Sequence, residues 1–379
     1  MAFSKKKWVL LPLGVLIFLG ITYWLVGLIQ YRMNVMDVEE YDPISTLVVP
    51  EHHLTRAKYP FIDVHNHQWI MPIQDLEDLV VEMDSLNMGM MVNLSGFRGK
   101  ILEWSLNNVA ENYPERFVVF LNLNFENLDD PGWPEEPLEM LENGVKQGVK
   151  GLKVYKEHGL NDQDNDGNRI PVNDLRLDPI WAKCGELGIT VLIHSGEPAP
   201  FWMPKDKKNE RWLELKQYPS RYRNPEKLPS FDSIMSEQHA VFAKHPNTKF
   251  INAHLGWYGN DLAKLGQLMD QFPNMYTEIG AVLAELGRQP KAARTFFIHY
   301  QDRILFGKDT YKMEEYYTYF RVLETDDEYF DYYRKRHANW KMYGMNLPDS
   351  VLRKVYYGNA LNVIPGIDRS LFSKNSSQD

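Results

Sequence analysis

His65 and His67 in FIDVHNH (61–67), His194 in ITVLIHSG (189–196), His254 in TKFINAHLG (248–256) and Asp309 in RILFGKDT (303–310) each lie at the end of a short apolar run. Imidazoles and a carboxylate are the N/O donors that zinc or manganese prefers, and such a set leaves room for water. Taken alone, each of these residues, the His-x-His pair included, reads more simply as a hydrogen-bonded structural group. Their joint placement is what points to a metal. The single cysteine, Cys184, excludes an intramolecular disulfide and any cysteine-based zinc site, so histidines and carboxylates must supply the ligands.

The elements that must position these residues are regular. Short β-branched and aromatic runs alternate with longer amphipathic stretches, the pattern of repeated βα units around a parallel sheet. Eight strands are predicted: the four runs above, with GMMVNLSGF (89–97), FVVFLNLNF (117–125), GVKGLKVYK (148–156) and NMYTEIGA (274–281). Between them, segments such as IQDLEDLVVEMDSLN and NDLAKLGQLMDQFP carry apolar residues at three- and four-residue spacing. An open doubly wound sheet would usually stop at five or six strands, so the expected fold is an α/β (β/α)8 TIM barrel, with an N-terminal transmembrane helix before it. Chemistry in such a barrel sits at the C-terminal strand ends, where the five residues fall. Side chains two apart along a strand share a face, which groups Asp63, His65 and His67 and lets both histidines reach one ion. Asn93 and Glu278 end the second and seventh strands and also face the mouth.

These motifs resemble the amidohydrolase superfamily, specifically the amidohydrolase-2 branch that includes 2-pyrone-4,6-dicarboxylate lactonase and aminocarboxymuconate-semialdehyde decarboxylase. The resemblance runs from about Tyr59 to Ile367 and rests on IDVHNH, GLKVYK, VLIHSGEP, FINAHLG, ILFGKDT and YYGNALNV in this order. It implies metal ligation by His65, His67, His194 and Asp309, with His254 a second-sphere or catalytic group and Asp309 also handling protons. Binuclear relatives bridge two metals with a carboxylated lysine after strand 4, a role that Lys153 or Lys156 would take. The branch is usually mononuclear, and a lysine there more simply contacts substrate. Lys308 departs from the Ser or Thr that many relatives carry before the aspartate. The expected activity is hydrolysis, by metal-activated water, of a lactone, ester or amide, with one zinc ion per chain as first choice and manganese as second. His254 is suited to stabilise an oxyanion or pass a proton to the leaving group.

Substrate signals are weaker. The long loop from about Glu197 to Pro229 holds eight lysines and arginines, Arg211 among them, beside Phe201, Trp202 and Trp212. Such a loop suits a lid that recognises a small anionic organic acid, and Arg288 is a second candidate for that contact. The bland reading is a solvated surface loop. DQDNDGNRIPVND places Asp162, Asp164, Asp166 and Gly167 as in a calcium loop, but Asn173 stands where the bidentate glutamate belongs, and a turn explains it better. The aromatic stretch MEEYYTYFRVLETDDEYFDYYRKRHANW continues a helical C-terminal region.

A net charge of −9 argues against a nucleic-acid partner. Lys5, Lys6 and Lys7 precede an uncharged run from Trp8 to Gln30, which as a helix spans roughly 34 Å. Acidic residues after Arg32 complete a positive-inside pattern. The expected layout is a signal-anchor (1–30), an extended linker (31–58), the barrel (59–367) and a disordered tail (368–379). The catalytic domain would then be extracytoplasmic, periplasmic in a bacterium, on a single-pass anchor; a cleaved signal peptide is the alternative. The oligomeric state is left open. Two rival functions remain: a metal-dependent non-oxidative decarboxylase on the same scaffold, and a non-catalytic membrane-tethered binding protein.

Overall fold

The computed structural model describes residues 7–125 and 128–373. Two compact units divide at Val48/Val49. The first contains a helix Lys7–Met33, of which Gly14–Met33 is long and apolar enough to cross a membrane, and it runs one turn past the expected anchor. Lys5 and Lys6 lie outside the described residues, as does the side chain of Lys7.

The second unit begins ten residues before the predicted barrel. The His52 backbone N–H donates to Asp327 Oδ2 (2.8 Å), Lys58 Nζ pairs with Asp349 (2.6 Å), and Ala57 is buried. The last ten residues of the expected linker, 49–58, are therefore docked, because their polar groups find fixed partners. The expected tail also needs correction. Ser370–Ser373 forms a short helix, and buried Phe372 stacks on Tyr357, so an apolar side chain carries the fold to that point. Residues 374–379 lie outside the described residues.

Eight parallel strands pair in sequence order: β1 (Phe61–Asn66), β2 (Met88–Asn93), β3 (Phe117–Asn122), β4 (Gly151–Val154), β5 (Thr190–Ile193), β6 (Phe250–Asn252), β7 (Met275–Glu278) and β8 (Ile304–Leu305). The ring closes through Val64 N–H to Phe306 O (3.0 Å) and Asp309 N–H to His65 O (2.6 Å). Ile62, Val64, Met90, Val92, Val118, Phe120, Leu192, Ile251 and Leu305 fill the interior, while their strand neighbours such as Phe61, Met91, Val119 and Phe250 pack in the shell beneath the helices. Burying both faces explains why the strands read as continuous apolar runs. Each such side chain contributes about 1.5–3 kcal/mol. Gly151 makes one interior layer fit: a Cβ there would lie 2.4 Å from the Phe120 ring.

The strands are shorter than predicted, because their C-terminal ends leave the ladder where the site residues begin. The post-β5 loop is not structureless; it contains helical turns Ala199–Trp202, Trp212–Gln217 and Pro219–Arg221. The aromatic C-terminal stretch is helical only over Met313–Glu324. Residues 325–348 are irregular, fixed by Arg321 Nε on Asp327 (2.6 Å) and by an antiparallel bridge Phe330–Met342.

Candidate metal centre

The β1–β2 pairing is irregular between Asp63 and Asn66, and this sorts the end of β1. Ile62 and Val64 stay in the interior. Asp63 turns towards the helix Met313–Glu324, where it accepts from Tyr316 Oη (2.6 Å) and Asn66 Nδ2 (2.8 Å). Complete burial pushes its pKa up to about 6 against these donors. Asp63 thus anchors the strand and does not join the donors, contrary to simple alternation. His65 and His67 enter the mouth.

There the histidines meet Asp309. Its Oδ1 lies 3.4 Å from His65 Nε2 and 3.6 Å from His67 Nε2, beyond the range of a hydrogen bond. Fully buried Glu278 approaches His65 Nδ1 (2.9 Å) and also accepts from the His254 backbone N–H (2.6 Å). That contact assigns the His65 proton to Nδ1 and presents Nε2 to the mouth. His254 Nδ1 faces Gly280 O (2.8 Å), an atom that only accepts, so its proton is also on Nδ1 and Nε2 is open. His67 Nδ1 contacts Ser95 Oγ (2.7 Å). His194 packs edge-on against His254 with ring centroids 4.4 Å apart, and its buried Nε2 has no hydrogen-bond partner.

Burial above all, with Lys153 next, holds His65 well below the usual imidazole pKa and His67 at about 4; burial, then His254, does the same for His194. His65, His67 and His194 are thus neutral, lone-pair-bearing imidazoles near one carboxylate, with one orphaned nitrogen, and that chemistry fits a divalent ion. The tightest set, with donor atoms within 4.8 Å of one another, is His65, His254 and Asp309. Replacing Glu278 by Gln is expected to weaken zinc or manganese affinity by about 10–100-fold while the chain stays folded; a metal titration followed by calorimetry checks it, and unchanged affinity would remove the orienting role.

His254 reaches the mouth through an unusual backbone. His254, Leu255, Gly256 and Trp257 have φ of 58°, 54°, 57° and 59°. Left-handed conformations cost about 1–2 kcal/mol per non-glycine residue, and such outliers cluster at functional sites. Gly256 is required in this run, since a Cβ would lie 2.2 Å from Asn252 Nδ2. Ala281 (φ 57°) and Asp309 (φ 86°) repeat the feature after β7 and β8.

A cavity of about 850 Å³ opens on this cluster, lined by His67, Trp69, Tyr155, His194, Asp309 and Tyr311 near the donors and by Phe125 and His158 farther out. Trp69 stacks on His67 (5.2 Å) and lies 6.0 Å from the Tyr155 ring. A chamber of about 140 Å³ continues past His254. Of the remaining predicted residues, Lys153 is buried with Nζ 3.5 Å from His65 Nε2, and burial lowers its pKa to about 8. Lys156 Nζ pairs with Glu197 (2.6 Å) and borders both cavities. Arg211 lines the chamber, bound to Glu214 (2.8 Å). Arg288 is not brought to the mouth: it pairs with Glu210 (2.7 Å) and lies over Trp340. Lys308 turns away too, bonding Glu315 (2.5 Å). The calcium-like loop is a turn, with Asp164 accepting from Asn168 N–H (2.8 Å) while the nearby cation is Arg176, paired with Asp174 (2.7 Å). Residues that the sequence did not single out are Ser95, Trp69, Tyr155, Arg334 and His337. Ser95, Trp69 and Tyr155 had a positional signal, each two residues beyond a residue singled out, Asn93, His67 and Lys153; Arg334 and His337 had none.

Fold and site together define a parallel (β/α)8 barrel with a histidine–aspartate cluster at its C-terminal mouth. The chain belongs to the amidohydrolase family: the family model described as Amidohydrolase (Amidohydro_2) matches residues 50–365. No curated protein sequence matches it significantly. Among solved structures, a dihydroxybenzoic acid decarboxylase from Polaromonas sp. JS666, with bound manganese and the inhibitor 2-nitroresorcinol, is similar at 15% identity and TM-score 0.53 over 80% of this chain and 96% of that one. The 2,6-dihydroxybenzoate decarboxylase from Rhizobium gives 15% and 0.50 over 80% and 98%. A 4-oxalomesaconate hydratase from Rhodopseudomonas palustris gives 14% and 0.48 over 82% and 97%. At these identities the likeness is one of fold. The expected barrel and family are both found.

Proposed function

We propose that this protein is a metal-dependent hydrolase of a small carbonyl compound, with His65, His67, His194 and Asp309 holding one divalent ion, zinc before manganese. The observation that carries this reading is the gathering of four imidazoles from the ends of β1, β5 and β6 around the Asp309 carboxylate. A divalent ion supplies a Lewis acid there and lowers the pKa of water towards neutrality. Asp309, 31% exposed at its side chain, borders both cavities and can take up a proton from water. His254 Nε2, left open by the bond from Nδ1, can return a proton to the leaving group. Glu278 keeps the His65 and His254 segments in place. Trp69 and Tyr155 form an apolar wall for the substrate.

A second reading, non-oxidative decarboxylation, is favoured by that same wall, whose near-parallel rings (20°) suit a flat aromatic acid. His254 would then protonate carbon. Elemental analysis of the full chain in detergent, purified without chelator, is expected to give one equivalent of zinc or manganese, lost in His65→Ala. Carbon dioxide release from aromatic acids would move the assignment to the second reading. No bound metal, and none taken up on addition, would leave a tethered binding protein.

We further propose that the helix anchors the domain outside the cytoplasm, since its span Gly14–Met33 is apolar and can cross a bilayer. The chain should then stay with membranes through an alkaline carbonate wash; release into the supernatant as a shortened chain would identify a signal sequence.

A further inference from the structure

The chamber beyond His254 is built from charge. Lys156, Arg211, Arg221 and Arg334 line it, facing Glu197 and Glu214. Apart from Asp309, which also lines the chamber, each of these carboxylates is divided between two cations. Glu197 accepts from Lys156 Nζ (2.6 Å) and from Arg223 (2.7 Å). Glu214 accepts from Arg211 Nε (2.8 Å) and from Arg221, and Glu315 from Lys308 (2.5 Å) and Arg334 (2.9 Å). Glu285, 3.4 Å from Arg211, is itself shared with Arg288, which Glu210 also pairs. Within the walls themselves, four cations, Lys156, Arg211, Arg221 and Arg334, face three carboxylates, Glu197, Glu214 and Asp309. A surplus of positive charge in a partly buried chamber favours an added anion. Two further observations agree. Arg223 Nε is buried without a partner. His337, in the chamber wall, is pushed down to about 2 by burial and by Arg211, Arg334, Arg221 and Arg336 around it.

We infer that this chamber receives a carboxylate of the substrate, making the substrate a carbonyl compound that also bears a free carboxylate. The inference rests on the mouth being the reaction site, as proposed above. Its volume, about 140 Å³ against about 850 Å³ for the larger cavity, suits a carboxylate and its stem, with the body of the substrate in the larger space. Guanidinium forks match a carboxylate two bonds at a time. Lys156, His194, Asp309 and Thr310 belong to the walls of both cavities. A substrate with its carboxylate in the chamber therefore passes its next carbons beside Asp309 and leaves the remainder to the larger cavity. Arg211, chosen from the sequence for such a contact, takes part as one of four cations, whereas Arg288 acts only by sharing Glu285.

The test uses the full chain in a neutral detergent, with succinate and glutarate as probes and dimethyl glutarate as the uncharged control, followed by calorimetry. Wild type should bind a diacid and ignore the diester. Affinity should fall with added salt and drop at least tenfold in Arg334→Gln and in Arg221→Gln, with part of it recovered in Arg334→Lys. Arg221, partly exposed, keeps the test open if Arg334→Gln fails to fold. Binding should survive treatment with chelator, which separates this result from the metal question answered by elemental analysis. Two outcomes overturn the inference: no diacid binding in wild type, or binding that is indifferent to both arginine variants and abolished by chelator, which would assign the anion to the ion alone.

Discussion

Replacing Asp309 by Asn is expected to lower kcat/KM by about 10³-fold or more, the combined loss of a metal donor and a proton acceptor. The substitution keeps the shape of the side chain and removes its charge. Its backbone role should persist, since the Asp309 N–H to His65 O bond (2.6 Å) that helps close the barrel involves no side-chain atom. The local conformation, φ 86°, is also one that asparagine tolerates better than most residues. Melting temperature should therefore change little while activity collapses. Metal content measured beside the kinetics divides the two roles. Activity and metal lost together make Asp309 a ligand, whereas activity lost with the ion retained leaves proton transfer as its contribution. A variant with full metal and near wild-type turnover would sink both.

The fold was legible because a barrel strand buried on both faces has little choice of residues: the runs FVVFL and VLI within β3 and β5 are apolar throughout. The ends of those runs were less legible. The TKFINAHLG run predicts nine residues of strand, yet β6 has three, because His254 to Trp257 turn left-handed. The same departure brings His254 into the mouth, so the error and the function have one cause. Alternation likewise grouped Asp63 with the histidines, and only the irregular β1–β2 register sends it to Tyr316. The C-terminal aromatics repeat at helical spacing past Glu324, but the hydroxyl of Thr325 accepts the Asp327 N–H (3.2 Å) and bonds back to Arg321 O (2.8 Å), so side chains take over the backbone groups. Ion pairing was beyond the sequence. Arg288 pairs with Glu210, 78 positions away, and which of several acids a loop arginine meets is decided by packing.

His254 carries the second large effect, and its variant separates two arrangements of the same atoms. His254→Gln is expected to reduce kcat by about 10²–10⁴-fold, the range of a positioned acid or base, with metal content unchanged. Its Nδ1 is committed to Gly280 O (2.8 Å) and its backbone N–H to Glu278 (2.6 Å), so the ring is held with only Nε2 available to a substrate. Glutamine retains a donor for the carbonyl but has no second nitrogen to exchange a proton. The competing arrangement starts from the close grouping of His65, His254 and Asp309, within 4.8 Å, in which His254 would be a ligand in place of His67 or His194. It predicts that His254→Gln loses the ion as His65→Ala does, and that either His67→Ala or His194→Ala keeps it. The orphaned Nε2 of His194 favours the first arrangement, because a buried nitrogen with no hydrogen-bond partner is explained if it faces an ion.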